Sequence, residues 1–298
     1  MTQKPIAVDG RTQLVGLIGW PTTHSLSPAM HNRAFETLGL NWRYVPLRVP
    51  PGGASAAVRG LAALGFRGAN VTVPHKSSVG RGLHNLTGEA KAMGAVNTVF
   101  TARGEEGESR LVGHNTDSSG FMDALVEGGF DPHGETALVL GAGGVARAAV
   151  FALLKAGASR VTVLARRVEQ AETLAEHFAE HREALATGTL GRTALAEAGR
   201  SAALIVHATP VGLWPHHEAS VWPEDLSIPA DALVYDLVYV PRETKLLRHA
   251  RACGARCLDG VGMLVHQGAR AFSLWTGRDA PVAVMRQACE EALRRMVT

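Results

Sequence analysis

Residues 67–76 read Arg67-Gly68-Ala69-Asn70-Val71-Thr72-Val73-Pro74-His75-Lys76, a short apolar strand that meets a proline and stops at a lysine. An ammonium carried at the end of a strand can hydrogen-bond a ligand oxygen and give it a proton; a solvated surface lysine is the ordinary alternative. A second stretch with chemical content is Gly141-Ala142-Gly143-Gly144-Val145-Ala146, which fits the GxGxxG/A pattern. It follows a strand-like run and opens a helix-like one, the context in which that pattern holds a dinucleotide. Gly141 permits the tight turn, Gly143 lets the backbone approach a pyrophosphate, and Ala146 lets helix and strand pack closely. The unpaired N–H groups and the positive dipole end of the following helix then face the phosphates.

The next strand-like run, Arg160-Val161-Thr162-Val163-Leu164-Ala165, selects the dinucleotide. An NAD site places an acid at its end, about twenty residues beyond the glycines, to bind the ribose 2′-hydroxyl. This chain has Ala165 followed by Arg166 and Arg167, and Glu169 falls where a helix should be starting. Two guanidiniums suit a 2′-phosphate, so NADP is expected over NAD; two solvated arginines would leave the choice open.

These residues need elements to carry them. Gln13–Gly19 reads as a buried strand. Ser27–Gly39 reads as a helix with Ser27 as N-cap, Pro28 in its first turn and Gly39 as its stop. A strand at WRYVPLRV, a helix at ASAAVRGLAALG and the strand GANVTV complete a βαβαβ run, which implies a mainly parallel sheet. LTGEAKAMG is a short helix behind a Thr87 cap, residues 95–115 form a hairpin with a charged turn at Arg103–Ser109, and SSGFMDALVEGGF is a helix leading to a second domain. In that domain a helix is expected over AETLAEHFAEHREALA, further short strands at AALIVHATPVG, ALVYDLVY and ARCLDGVG, and two helices in the tail.

The chain has 298 residues, 46% apolar and 19% charged, so two ordinary domains with packed cores are expected and disorder is not. A net charge of +3, with no basic strip interleaved with aromatics, gives no case for nucleic acid; it suits an anionic substrate or a phosphate-bearing cofactor. Three cysteines, Cys253, Cys257 and Cys289, argue against a disulfide framework and fit a reducing cytoplasm. His249, Cys253 and Cys257 stand at four-residue intervals, but Gly254 interrupts the helix they would share, and no metal is expected. The first residues lack a signal-peptide core and no stretch approaches the ~20 apolar residues of a membrane span. The oligomeric state is not legible; a homodimer is compatible with the sequence.

With the glycine turn in place, other segments fall into register. GWPTTHSLSPAMHNRAF, GANVTVPHK, MGAVNT, GHNTD, GAGGVARA, ARR, HATPVG and DGVGMLVHQGARAFSLWTG follow one another in the order of the shikimate dehydrogenase family, which the whole chain resembles. The resemblance implies an N-terminal α/β substrate-binding domain over 1–117, completed by C-terminal helices 264–298, and a Rossmann-type dinucleotide-binding domain over 118–263. It implies that Ser25 and Ser27 hold a substrate carboxylate with Tyr239 near it. Thr72, Asn97, Asp117 and Gln267 bind ring hydroxyls, and Lys76 is catalytic. On the cofactor side it implies Gly141, Ala142, Gly143, Gly144, Val145, Ala146 and Arg147 in the phosphate loop, Ala165, Arg166 and Arg167 at the 2′-phosphate, and Thr209, Gly212 and Gly260 beside the nicotinamide half. Three positions depart from the family pattern: Ala165 and Val240 stand where asparagine is usual, and Ser118 where glycine commonly follows NTD. Taken singly, Ser27 has an ordinary use as an N-cap, Asn97 and Asp117 in turns, and Gln267 on a helix surface.

The activity implied is NADP-dependent reduction of 3-dehydroshikimate to shikimate in aromatic amino acid (chorismate) biosynthesis. A polyol carboxylate needs many short hydrogen-bonding groups from several segments, which the set above supplies. Hydride reaches a carbonyl carbon and the protein supplies the proton, with Lys76 as acid/base and Asp117 orienting it. Desolvation would lower the lysine pKa and the Asp117 carboxylate would raise it; the sequence leaves the balance open. The alternatives are a quinate/shikimate or aminoshikimate dehydrogenase, or a non-catalytic NADP-binding sensor on the same fold.

Overall fold

The computed structural model describes residues 8–103 and 109–297. The turn expected between Arg103 and Ser109 lies outside the described residues at 104–108. The chain divides into two compact units: one from Met1–Thr116 and Gln267–Thr298, the other from Asp117–His266.

In the first unit, β1 (Gln13–Gly19), α1 (Ser27–Thr37), β2 (Trp42–Arg48), α2 (Ala54–Ala63) and β3 (Gly68–Val71) follow the expected alternation. Then come β4 (Asn85–Leu86), α3 (Gly88–Met93), β5 (Thr98–Arg103) and β6 (Ser109–His114). The sheet order is β2-β1-β3-β5-β6-β4. β1 pairs parallel with β2 and β3, whereas β5 runs antiparallel to both β3 and β6. The C-terminal ends of β1, β3 and β6 and the N-terminal end of β5 therefore share one edge. Val15, Leu17 and Ile18 of β1 are all buried, as a central parallel strand covered on both faces requires. Thr87 caps α3, its Oγ1 accepting from Ala90 N, and Gly94 ends the helix at φ 59°. Ser27, by contrast, is not the N-cap of α1: Leu26 is, with no side-chain cap, and the Ser27 N–H donates instead to Ser25 Oγ at 3.2 Å. The serine preceding the helix takes the local bond, so the helix begins one residue earlier than expected.

In the second unit, α4 (Asp117–Glu127) leads to β7 (Thr136–Leu140), α5 (Gly144–Lys155), β8 (Arg160–Ala165) and α6 (Val168–His177). β9 (Leu185–Thr189), α7 (Arg192–Arg200), β10 (Leu204–His207), β11 (Leu233–Asp236), α8 (Lys245–Ala252) and β12 (Arg256–Leu258) follow. The strands lie in the order β12-β11-β10-β7-β8-β9, and every pair is parallel. This is the doubly wound order whose direction reverses between β7 and β10. The helix expected over residues 171–186 stops at His177; a 3-10 turn over Ala179–Ala184 and strand β9 replace its second half. Phe178 is buried against Phe151 at the break, so the apolar spacing that reads as a continuing helix marks its end. α8 ends before Gly254, at φ 86°, and Cys257 sits on β12, so the four-residue ladder from His249 is not one helix face. The chain closes with α9 (Val261–Thr276) and α10 (Val282–Val297). Among the described residues, no helix is long and apolar enough to cross a membrane.

Candidate active site

Thr72 and Asn97 adjoin strand ends at the shared edge of the first sheet, Lys76 follows β3 by five residues, and Ser25 and Ser27 lie in the β1–α1 connection and at the start of α1. Thr72 N donates to Ile18 O at 2.9 Å and Trp20 N to Val73 O at 3.0 Å, which extends the β1–β3 pairing past the strands. A Cβ on Gly19 would collide with the Thr72 methyl, so that glycine makes room for the threonine. His75 is buried with Nε2 2.7 Å from Val49 O. It anchors the turn that leaves Lys76 half-buried. Val96 N donates to Lys76 O at 2.8 Å, so the lysine lies across from the residue preceding Asn97.

Asn97 is 2% exposed. Its Oδ1 accepts from Thr116 N at 2.8 Å and from Thr98 Oγ1 at 3.0 Å; its Nδ2 reaches Thr116 Oγ1 at 3.0 Å and Gln267 Oε1 at 3.4 Å. The structure thus joins Asn97 to a residue 170 positions away on α9. Asp117, 4% exposed, follows Thr116 directly and opens α4; it and Tyr239, half-buried after β11, belong to the second unit.

In the second unit, Gly141 follows β7 at φ 115°, and a Cβ there would lie 2.9 Å from Ala208 O and 3.0 Å from Thr209 Cγ2. The glycine turn and the Thr209–Gly212 segment thus flank one another where the strand order reverses, the place at which open α/β sheets bind ligands. A Cβ on Gly143 would meet nothing within 4 Å, and no side chain caps α5. Its first-turn N–H groups have no side-chain acceptor, as an anion-binding helix N-terminus requires. Gly144 is exposed, Ala142 and Val145 are partly buried, and Ala146 is buried in the core. Burial holds the half-buried Arg147 guanidinium below its ordinary pKa. Ala165 closes β8 in the core, and Arg166 and Arg167 follow it exposed. Gly212 sits at φ 83°, and a Cβ on Gly260 would collide with Leu237 O. The residues present fit a phosphate-bearing dinucleotide with a 2′-phosphate. Among the described residues, no cluster of three or more His, Cys, Asp or Glu is placed to hold a metal ion.

Sequence reasoning assigned no role to a buried cluster beside this turn. His207 Nδ1 donates to Asp236 Oδ1 at 2.8 Å, and its Nε2 lies 2.6 Å from Thr209 Oγ1. Asp236 also accepts from Val238 N at 3.0 Å and from Thr244 Oγ1 at 2.6 Å. His207 and Asp236 are 2% and 0% exposed and stand opposite each other in the β10–β11 register. The available signal was one polar residue closing each of two apolar strands, LIVH and LVYD.

Residues 17–99 match the model described as the shikimate dehydrogenase substrate binding domain, 125–209 that of shikimate / quinate 5-dehydrogenase, and 260–290 the shikimate 5'-dehydrogenase C-terminal domain. The NADP(+) shikimate dehydrogenase of Methanopyrus kandleri is 48% identical over 97% of this chain and 99% of its own length. A shikimate dehydrogenase crystallised with NADP+ superposes with TM-score 0.87 at 34% identity, covering 96% of this chain and 98% of its own. The Thermus thermophilus shikimate 5-dehydrogenase, solved with NADP(H) and shikimate, has TM-score 0.83 at 40% identity over 94% of this chain and 100% of its own. With identity of this order sustained across both units, the chain belongs to the shikimate dehydrogenase family.

Proposed function

We propose that this chain interconverts 3-dehydroshikimate and shikimate with NADP(H), as a step of aromatic amino acid biosynthesis. The observation that carries the reading is the division of labour between the units. One sheet carries Thr72, Asn97 and, after β3, Lys76 at one edge, and the switch point of the other sheet carries an uncapped glycine turn, with two exposed arginines after the next strand. A substrate domain over 1–117, completed by 264–298, binds the ring, and a dinucleotide domain over 118–263 binds the cofactor; these bounds lie within a few residues of the two compact units.

Ser25 and Ser27 hydroxyls hold the carboxylate with Tyr239 beside it. Thr72, Asn97, Asp117 and Gln267 take the ring oxygens. The phosphate loop from Gly141 to Arg147 holds the pyrophosphate, Arg166 and Arg167 clamp the 2′-phosphate after Ala165, and Thr209, Gly212 and Gly260 border the nicotinamide half. When bound, NADPH supplies the hydride. Lys76 Nζ donates to the carbonyl oxygen as negative charge grows there and protonates it; in the reverse direction it takes that proton back. Asp117 orients the lysine and a ring hydroxyl.

The test is NADPH formation by the purified protein with shikimate, repeated with quinate and with NAD+. The highest kcat/KM is expected for shikimate with NADP+. Calorimetric binding of both ligands without any rise in NADPH absorbance would replace the enzyme with a sensor.

A further inference from the structure

Asp236, the last residue of β11, is fully buried and receives three donors. His207 Nδ1 reaches its Oδ1 at 2.8 Å, Val238 N the same oxygen at 3.0 Å, and Thr244 Oγ1 its Oδ2 at 2.6 Å. A carboxylate only accepts, so the His207 proton sits on Nδ1 and the neutral ring offers Nε2 as an acceptor. The hydroxyl 2.6 Å from Nε2 is therefore the donor: Thr209 Oγ1 gives its proton to His207 and accepts from Val211 N at 3.2 Å. Thr244 has the same double use, donating to Asp236 and accepting from Leu247 N at 3.3 Å as the N-cap of α8.

Each donor belongs to a different segment, and each segment carries or supports a residue of the site. Through His207, Asp236 holds the turn at 209–211, whose Thr209 methyl would lie 3.0 Å from a Cβ on Gly141. Through Val238 it holds the backbone after β11, against which Gly260 packs. Gly260 N donates to Val238 O at 3.2 Å, and a Cβ on Gly260 would lie 2.9 Å from that oxygen. Through Thr244 it holds the start of α8, beside Gly212, where a Cβ would lie 3.9 Å from Thr244 Cβ. Two backbone bonds close the set, Leu237 N to His207 O at 3.0 Å and Trp214 N to Val240 O at 2.9 Å. Arg166 and Arg167 follow β8, two strands away from β10, and the cluster does not tie them.

We propose that Asp236 and His207 are positioning residues that tie the 209–212, 237–240 and 244–247 segments together, and so fix the seat of the nicotinamide half of the dinucleotide. This rests on the reading of Thr209, Gly212 and Gly260 as neighbours of that half. At most 2% exposed, His207, Asp236 and Thr244 act through the backbone they hold and not by touching a ligand.

The experiment compares His207→Asn, Thr244→Val and Thr244→Ser with wild type. An asparagine nitrogen can stand where Nδ1 stands, so His207→Asn keeps the donor to Asp236 and removes the acceptor for Thr209. Thr244→Val removes a donor to Asp236, and Thr244→Ser keeps it. By calorimetry, NADP+ should bind His207→Asn and Thr244→Val about 3- to 10-fold more weakly than wild type, and Thr244→Ser should restore the affinity. Adenosine 2′,5′-bisphosphate, which has the 2′-phosphate and no nicotinamide, should bind all four proteins within about twofold. With shikimate deuterated at the carbon that gives up the hydride, the isotope effect on kcat should rise in His207→Asn, because a loosely seated nicotinamide slows hydride transfer. The Val211 amide should exchange faster with solvent in the same variant. Equal weakening of NADP+ and the bisphosphate, or an NADP+ affinity and isotope effect both unchanged in His207→Asn, would overturn the proposal. If wild type binds no NADP+ while the Val211 amide still responds, the cofactor reading falls and the tie between the segments stands.

Discussion

The first unit places its polar groups at the sheet edge as side chains: Asn70, Asn97, Thr98, Asn115 and Thr116 are each at most 5% exposed, and hydrogen bonds link Asn70, Asn97, Thr98 and Thr116. The second unit offers backbone at the corresponding place, a turn of glycines ahead of a helix that no side chain caps. Side-chain donors at fixed positions suit reading the outline of a ring, each position depending on one residue. Backbone donors hold a phosphate through whatever residue supplies the N–H, so their demands fall on conformation and clearance. The exception is the His207–Asp236 cluster, where the second unit buries charge-bearing side chains to hold a loop rather than to read a ligand.

Four changes would break or sharpen this contrast, from the largest effect to the smallest. Lys76→Ala should lower kcat by about 10²–10⁴ with shikimate KM close to wild type, as for a group acting only on developing charge; steady-state kinetics that retain most of the turnover would deny the first unit its chemistry. His207→Ala should cost about 1–3 kcal/mol of stability, because it removes one of the three donors to the buried Asp236 carboxylate. Urea midpoints measure this, and a near-neutral result would reduce the exception to ordinary packing.

His31 sharpens the contrast from within the first unit. Its ring is fully buried with neither nitrogen hydrogen-bonded among the described residues, and burial pushes its pKa down to about 3. The folded ring stays neutral while the unfolded chain binds a proton below about pH 6.5. Stability should therefore fall as the pH drops from about 6.5 towards 3, by about 1.4 kcal/mol per pH unit and about 2 kcal/mol by pH 5. His31→Leu should flatten that part of the acid limb, read from urea midpoints at pH 7 and pH 5; an unchanged slope would place the titration elsewhere. Last, Arg166→Ala should weaken NADP+ binding about tenfold and leave NAD+ unchanged, by calorimetry. Equal losses for both would move the arginine off the 2′-phosphate.

Elements with strong periodicity and clear punctuation were legible in advance. β1, α2, α3 with its Thr87 cap, and the strand–glycine–helix at β7 and α5 each follow from residues within a short window. The second half of the helix expected after α6 was not legible, because Phe178 keeps apolar spacing while packing against Phe151 and ending the helix. β9 has only half-buried residues and an exposed end, so it lacks the alternation that marks a strand. At the site, Lys76 and the glycine turn stood out by type and context, and Asn97 only through the family resemblance. His207, Asp236 and Thr116 did not, since a polar residue at or just past the end of a strand has nothing local to declare its partner.

The sequence by itself determined the class of chemistry: glycines where only a Cβ-free backbone can turn, arginines where an acid would select NAD, and a lysine at a strand end are local choices. Tertiary structure alone decided which polar atoms face one another. The bond from Asn97 to Gln267 and the bond from His207 to Asp236 close only when the strands pair and α9 returns to the first sheet. Hydrogen-bond direction depends on the partner across the gap, and distance along the chain carries no record of it.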